Sequence, residues 1–169
     1  MRLFLGIKPD KKALLNLQKM IKTLQAQGVS GNYTDINNIH LTLAFIGETA
    51  DEKTIKTAME EIVQECFFLK INKIKRFKDM LILEIEKTEE LQKLQEGLAR
   101  ELFEKGFNIE KRDFYPHITL VREANKNLEW DLDICSEVRS YELFSSERIN
   151  GKIKYTVIHK KMLGCENSE

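Results

Sequence analysis

Cysteine is scarce in this chain of 169 residues. Cys66, Cys135 and Cys165 are odd in number and widely spaced, and no Cys-x-x-Cys pair occurs among them. Such a set is typical of reduced, mostly packing cysteines rather than of a disulfide framework. We therefore expect three reduced cysteines in a cytoplasmic protein.

A surplus of either charge and a long apolar run are also missing. Lysine plus arginine and aspartate plus glutamate both number 27, so the formal net charge is zero. That balance argues against a broad, non-specific nucleic-acid surface, but it allows a local basic cleft that grips one or two phosphates. No apolar segment is long enough for a signal peptide or a membrane span. The 42% hydrophobic fraction predicts one compact domain with a sizeable core.

What the chain does contain is one four-residue pattern in two copies. His40-Leu41-Thr42-Leu43 recurs 77 residues later as His117-Ile118-Thr119-Leu120, and the chain has only three histidines. Alternate residues of a strand share one face, so each copy presents an imidazole and a hydroxyl on one face and aliphatic side chains on the other. Two imidazoles that face one cleft could supply the acid and the base of a reaction near neutral pH.

The flanking sequence repeats as well. Apolar residues alternate in the strands predicted at 2–8 and 80–86, each strand is followed by an amphipathic helix, and Gly28 and Gly106 end the two helices. The repeat predicts a single domain of two units, about 1–79 and about 80–169. We expect an α+β fold in which duplicated β-α-β-α-β units form two pseudo-symmetric lobes, with antiparallel sheets around a central cleft.

The element pattern gives further predictions. Thr49-Ala50-Asp51-Glu52 fits a capping box before a helix that places Ile55, Met59, Ile62 and Cys66 on one side. The other predicted elements are helices at 10–27 and 89–105, motif strands at 38–46 and 116–122, a hairpin of strands 67–78 and 80–86, polar loops at 28–37 and 123–134, and strands at 135–147 and 152–163.

Several interpretations of the paired motif remain open. One His-x-Thr match would be weak, whereas two copies at equivalent places favour function; a useless pair left by duplication is the alternative. Zinc would need a third protein ligand, and none accompanies either motif. Thr42 and Thr119 suit hydrogen bonding to phosphate oxygens better than nucleophilic attack. His159 is interpreted as a strand-face or surface residue.

The sequence resembles the 2H phosphoesterase superfamily and, within it, the LigT-like RNA 2′,3′-cyclic phosphodiesterases, also called 2′-5′ RNA ligases. The residues that carry the resemblance span nearly the whole chain. They are Arg2-Leu3-Phe4-Leu5-Gly6-Ile7, Asn38-Ile39-His40-Leu41-Thr42-Leu43 with Phe45 and Gly47, Phe114-Tyr115-Pro116-His117-Ile118-Thr119-Leu120-Val121-Arg122, and Ser145 or Ser146 with Gly151 and Tyr155.

The resemblance implies hydrolysis of RNA 2′,3′-cyclic phosphate ends to 2′-phosphates, without metal or other cofactor, and possible 2′-5′ ligation. It implies that His40 donates a proton to the leaving 3′ oxygen and that His117 activates water, although the residues alone leave this assignment open. Thr42 and Thr119 would hold phosphate oxygens. Open alternatives are a non-catalytic nucleotide or RNA-end binding module and a phosphodiesterase for small 2′-5′ or cyclic nucleotides.

Three residues near the second motif are expected to orient the substrate. Arg122 would contact the phosphate or nucleotide, and Phe114 and Tyr155 would stack on a base. Arg122 lies five residues after His117, so a regular strand would point it to the opposite face; a bulge, a strand end or reach from the rim is required. The expected partners are RNA ends or nucleotides with a 2′,3′-cyclic phosphate, and we expect a monomer with no membrane association.

Overall fold

Two antiparallel sheets and the helices packed on them form the fold in the computed structural model, which describes residues 1–109 and 113–165. The strands are β1 (Arg2–Ile7), β2 (Asn32–Tyr33), β3 (Leu41–Glu48), β4 (Phe67–Phe77), β5 (Met80–Ile85), β6 (His117–Arg122), β7 (Trp130–Val138), β8 (Ser140–Ile149) and β9 (Lys152–Met162). The α-helices of the described residues are α1 (Lys11–Ala26), α2 (Glu52–Glu60) and α3 (Glu89–Glu104), and one 3-10 turn spans Ile36–Asn38.

The two sheets share one plan of strand order. The first runs β3-β1-β8-β9 and the second runs β2-β6-β5-β4-β7. With the two-residue strand β2 set aside, β6, β5, β4 and β7 occupy the places that β3, β1, β8 and β9 hold in the first sheet. Each motif strand therefore lies beside the first strand of its own repeat. The predicted α+β class with antiparallel sheets is confirmed.

Helices α1 and α3 are equivalent in position and length, with 16 residues each. Asp10 caps α1 by accepting from the Ala13 amide, and Thr88 caps α3 by accepting from the Leu91 amide. Apolar residues at helical spacing bury one face of each helix. The buried residues are Ala13, Leu17, Met20 and Leu24 in α1 and Leu91, Leu94, Leu98 and Leu102 in α3.

The second half of the chain departs from the predicted elements. Strand β7 begins at Trp130, inside the segment predicted as a polar loop. Apolar and polar residues alternate there as in a strand. The segment still looks like a polar loop, because Asp131 and Asp133 occupy the exposed side of this edge strand. The single strand predicted at 135–147 is two strands that meet at Arg139 and belong to different sheets.

Helix α2 is shorter than predicted. Its N-cap is Asp51, which accepts from the Thr54 amide, while the Thr49 hydroxyl accepts from the Asp51 amide. The prediction that Thr49 is the N-cap of this helix is therefore wrong by two residues. The helix ends at Glu60, so Ile62 and Cys66 lie beyond it.

A disulfide joins Cys66 and Cys165, so the prediction that all three cysteines are reduced is wrong for this pair. The segments that carry them also meet through their backbones, because the Gly164 amide donates to the Gln64 carbonyl at 2.9 Å. The large sequence separation hid this proximity. Cys135 is free and exposed, as its place on β7 dictates.

Candidate active site

The two motif strands have the same local structure. Thr42 pairs with Gly6 and Ala44 pairs with Leu5, so Leu43 is an extra residue in β3. In β6, Thr119 pairs with Ile82 and Val121 pairs with Leu81, so one residue is again extra, Leu120. Each strand thus carries a β-bulge directly after its motif threonine.

The bulges change which residues share a face with the histidines. A strand that gains one residue shifts its alternation, so the third residue after each threonine comes onto the histidine face. That residue is Phe45 in β3 and Arg122 in β6. The burial pattern agrees with this shift. In each strand two consecutive buried residues precede Phe45 or Arg122, and both of these residues are exposed. The bulge that Arg122 requires is therefore present.

His40 is held by two hydrogen bonds. Its Nδ1 lies 2.7 Å from the Asn38 carbonyl oxygen, and its Nε2 lies 2.9 Å from Thr42 Oγ1. A carbonyl oxygen only accepts, so Nδ1 carries a proton and Nε2 is the atom that gains or loses one. Asn38 is fixed in turn, since its side-chain amide donates to the Ile153 carbonyl.

Aromatic rings surround the His40 imidazole. The ring centroid of Phe4 lies 4.9 Å away and that of Tyr155 lies 5.1 Å away in an edge contact. Gly6 makes room for the imidazole: a Cβ at this position would lie 2.9 Å from the Leu41 carbonyl oxygen and 3.4 Å from His40 Cδ2. Phe45 packs near Phe4 but keeps 66% of its surface exposed.

His117 has a matching backbone contact in a different setting. Its Nδ1 lies 2.7 Å from the Tyr115 carbonyl oxygen, so Nε2 is again the exchanging atom. The Tyr115 hydroxyl donates to Glu84, which pairs with His117 across β5 and β6. Burial and the Glu84 carboxylate raise the pKa of Tyr115 to about 12. The ring of Phe77 lies 5.9 Å from that of His117.

The two motif strands, β3 and β6, are in contact. We call the space beside the His40 imidazole the cleft, and Arg122 and His117 lie near enough for their charges to act on His40. Burial lowers the pKa of His40, the hydrogen bond to Asn38 opposes this, and the positive charges of Arg122, His117 and Lys8 lower it further. Burial raises the pKa of Tyr155, and the positive charge of Arg122 lowers it.

The remaining predicted residues take different places. Tyr155 lies at the His40 ring, but Phe114 packs against the buried core. Thr42 contacts its histidine, whereas Thr119 is tied down through its backbone carbonyl, which accepts from Thr34 Oγ1 at 2.9 Å. Sequence reasoning missed Lys8 and assigned no role to Gly6 or Phe45. Only the apolar spacing after each threonine could have indicated the bulges.

His159 lies outside the cleft. Its Nε2 is 2.9 Å from a carboxylate oxygen of Glu60, on the surface between β9 and α2, in agreement with its interpretation as a surface residue. A groove of about 960 Å³ near the disulfide and one of about 610 Å³ near His159 also lie away from both motifs.

Within residues 1–109 and 113–165, no group of three or more His, Cys, Asp or Glu side chains is arranged to hold a metal ion. Nor does any helix there have the length and apolar character needed to cross a membrane.

The sequence is similar to a known protein family and to characterised relatives. Residues 13–147 match the model of the 2′-5′ RNA ligase superfamily. The chain belongs to that superfamily. Among curated relatives, an RNA 2′,3′-cyclic phosphodiesterase of Thermotoga maritima is 30% identical over 141 residues, 78% of this chain and 74% of the relative. One of Archaeoglobus fulgidus is 27% identical over 169 residues, 95% and 94% of the two chains.

Solved structures of E. coli LigT have the same fold. Apo LigT of E. coli superposes with a TM-score of 0.84 at 24% identity, covering 96% of this chain and 97% of LigT. LigT in complex with 3′-AMP gives a TM-score of 0.83 at the same identity and coverage. The resemblance to LigT-like proteins that the two motifs indicated is confirmed.

Proposed function

We propose that the chain is an enzyme, a metal-independent RNA 2′,3′-cyclic phosphodiesterase that opens the cyclic phosphate to a 2′-phosphomonoester. The observation that carries the proposal is the pair of bulged strands, each presenting a histidine whose Nε2 is free to exchange a proton. The activity named for the Thermotoga maritima and Archaeoglobus fulgidus relatives supports it.

The proposed reaction needs one base and one acid on opposite sides of the phosphorus. His117 Nε2 takes a proton from water as the water oxygen bonds to phosphorus. The bond from phosphorus to the 3′ oxygen breaks, and protonated His40 gives its Nε2 proton to that oxygen. Thr42 and Thr119 donate to the nonbridging oxygens as charge develops there, and Arg122 binds the negative charge that the phosphate already carries in the ground state.

The nucleoside would lie against the aromatic side of the cleft. Tyr155 fixes the ribose or base beside His40, and exposed Phe45 offers a face on which a base can stack. Phe114 is part of the core packing and is no longer proposed to stack on a base. The LigT complex with 3′-AMP supports nucleotide binding by this fold.

A second candidate activity is 2′-5′ ligation, which the name of the superfamily favours. The 5′ hydroxyl of another RNA would replace water as the nucleophile, and the same acid and base would serve. We also propose that the protein acts as a monomer in the cytoplasm, as a single domain of two repeats.

The test is incubation of RNA ending in a 2′,3′-cyclic phosphate with the protein in EDTA, with the products resolved as 2′- or 3′-phosphates. We expect almost only 2′-phosphate, because the leaving oxygen faces His40. A chelator-sensitive activity restored by a divalent ion would move the protein to another class of enzyme. A mainly 3′-phosphate product would reverse the roles of the two histidines, and binding without turnover would favour a binding module.

Arg122 gives a second, independent test of the site. Its charge acts on both His40 and Tyr155 from the other sheet. Replacement by alanine should raise KM for the RNA end more than it lowers kcat, since ground-state phosphate binding is lost. Lys126→Ala is a matched control, because Lys126 is an exposed cation that donates to the Gln27 carbonyl. An unchanged KM in Arg122→Ala would remove Arg122 from the proposed site.

A further inference from the structure

The segments that lead into α1 and α3 correspond in position but have opposite charge. The N-caps Asp10 and Thr88 hold the same place before helices of equal length. At equivalent positions around these caps, the first repeat carries Lys8, Lys11 and Lys12, whereas the second carries Glu86, Glu89 and Glu90. Asp10 in the first segment and Lys87 in the second reduce the contrast, which is a net charge of +2 over residues 8–12 against −2 over residues 86–90.

Lys8 brings this positive charge to the cleft. It follows β1 directly, on the same side of the strand as Phe4 and Gly6. Its Nζ lies 5.4 Å from the ring centroid of Phe144, and that ring lies 6.2 Å from the ring of His40. Lys8 is exposed and forms no ion pair with any described residue, including the buried Glu142 on the same face.

The equivalent residues of the second repeat are carboxylates. Glu86, the counterpart of Lys8, lies 3.6 Å from Lys70 Nζ. Glu84, the counterpart of Gly6, pairs in register with His117 and accepts from the Tyr115 hydroxyl. Glu84 also pairs with Lys75, at 3.5 Å. A polyanion that enters the cleft would therefore meet an unpaired cation on the His40 side and lysine–carboxylate pairs on the His117 side.

The charges of the proposed substrate show what Lys8 can bind. A terminal cyclic phosphate carries one negative charge, and Arg122 together with a protonated His40 already more than balances it. Lys8 supplies one more unpaired cation on the same side, and its charge is one of those that act on His40. An RNA chain has a further phosphodiester one nucleotide before its cyclic end, whereas a mononucleotide has none.

We propose that Lys8 binds the phosphodiester next to the cyclic end, so that the RNA chain leaves the cleft past the basic start of α1 and away from the acidic start of α3. The ligand is thus an RNA 3′ end of at least two nucleotides. The inference rests on the proposed function and deepens it, since it gives the near-symmetric cleft a direction and a preference for RNA over cyclic mononucleotides.

The experiment compares two substrates with the same terminal nucleoside, a 2′,3′-cyclic mononucleotide and an oligonucleotide ending in that group. Lys8→Ala should lower kcat/KM for the oligonucleotide by about two- to fivefold relative to the mononucleotide, the range of an exposed ion pair. Lys8→Glu should cost more on the oligonucleotide, and Lys8→Arg should retain the wild-type preference. The salt dependence on the oligonucleotide should fall by about one phosphate contact in Lys8→Ala.

Lys22→Ala is the matched control, because Lys22 is exposed on α1 and should not alter either substrate. Equal losses on both substrates, or no loss on the oligonucleotide, would overturn the role of Lys8 while the proposed function stands. Wild-type protein that turns over neither substrate would overturn the proposed function and this inference with it. Equal melting temperatures of the variants establish that the changes do not act through folding.

Discussion

At the scale of single residues, one backbone contact decides what each histidine can do. His40 and His117 both donate from Nδ1 to the carbonyl two residues earlier. That bond fixes the ring orientation and leaves Nε2 as the only nitrogen that changes its proton. The strand that presents the histidine therefore also sets its tautomer.

Loss of either imidazole should greatly reduce turnover. His40→Ala and His117→Ala should each lower kcat by roughly 10² to 10⁴-fold, the usual contribution of general acid–base catalysis. Thr42→Ala and Thr119→Ala should cost less. The control is His159→Ala, which removes the surface pair with Glu60 and should leave kcat unchanged. Full activity in His40→Ala would refute the proposed chemistry.

The pH dependence follows from the position of His40. Burial and the nearby cations lower its pKa from the ordinary value of 6.5. A proton donor with a lowered pKa is lost as pH rises, so the alkaline limb of kcat/KM should lie below pH 6.5. A bound phosphate anion raises the pKa of His40, so the same limb of kcat should lie at higher pH. Coinciding limbs in the two profiles would contradict His40 as the donor.

The motif residues could be predicted from the repeat, and the family resemblance added Arg122 and Tyr155, but the bulges that put Phe45 and Arg122 on the histidine face could not be predicted. His40, Thr42, His117 and Thr119 follow from the repeat and from simple alternation. Phe45 and Arg122 share their face only because one extra residue in each strand shifts the alternation, and a bulge depends on pairing with the neighbouring strand.

At the scale of elements, the closeness of β1 and β3 depends on Gly6. An added Cβ would lie 2.9 Å from a backbone oxygen of β3 and would also press on the His40 and Phe144 rings. Backbone cannot yield as a side chain can, so the strands themselves would have to separate. The geometry of the His40 site is thus set partly by a residue with no side chain.

Gly6→Ala should therefore impair both stability and turnover. We expect a loss of about 1–3 kcal/mol in the free energy of unfolding, the usual cost of overpacking, with a lower kcat. Denaturant unfolding and steady-state kinetics measure the two effects. Gly97→Ala is the control: its nearest neighbour is the flexible Ile62 Cδ1 at 3.2 Å, and alanine favours a helix. Wild-type activity in Gly6→Ala would show that the His40 site tolerates strand displacement.

The elements that were predicted correctly are those whose hydrophobic periodicity is visible within a single segment of the sequence. Both long helices, their caps at Asp10 and Thr88, and the hairpin at Lys78-Asp79 match the structure. The errors fall at both ends of α2, in β7, where the exposed side of an edge strand is acidic, and at Arg139, where the chain passes from one sheet to the other. Sheet membership depends on distant pairing, which no local pattern contains.

At the scale of the whole molecule, the disulfide joins positions that are 99 residues apart. Reduction, or Cys66→Ser, should lower the free energy of unfolding by about 2–4 kcal/mol, since a long loop of the unfolded chain is released. Turnover should not change, because the pair lies away from both histidines. Chemical denaturation with and without reductant, alongside kinetics, measures this. Cys135→Ser is the control. Loss of activity on reduction would tie this region to the cleft.

The strand order of the two sheets has a consequence for how the protein is made. The first sheet begins with β1 and β3, but its other side is built from β8 and β9, so the second edge of β1 stays unpaired until residues 140–162 have been synthesised. Pairings between such distant segments form slowly. Neither sequence repeat can complete a sheet alone. A chain that ends after the first repeat would therefore expose unpaired strand edges, which promote aggregation.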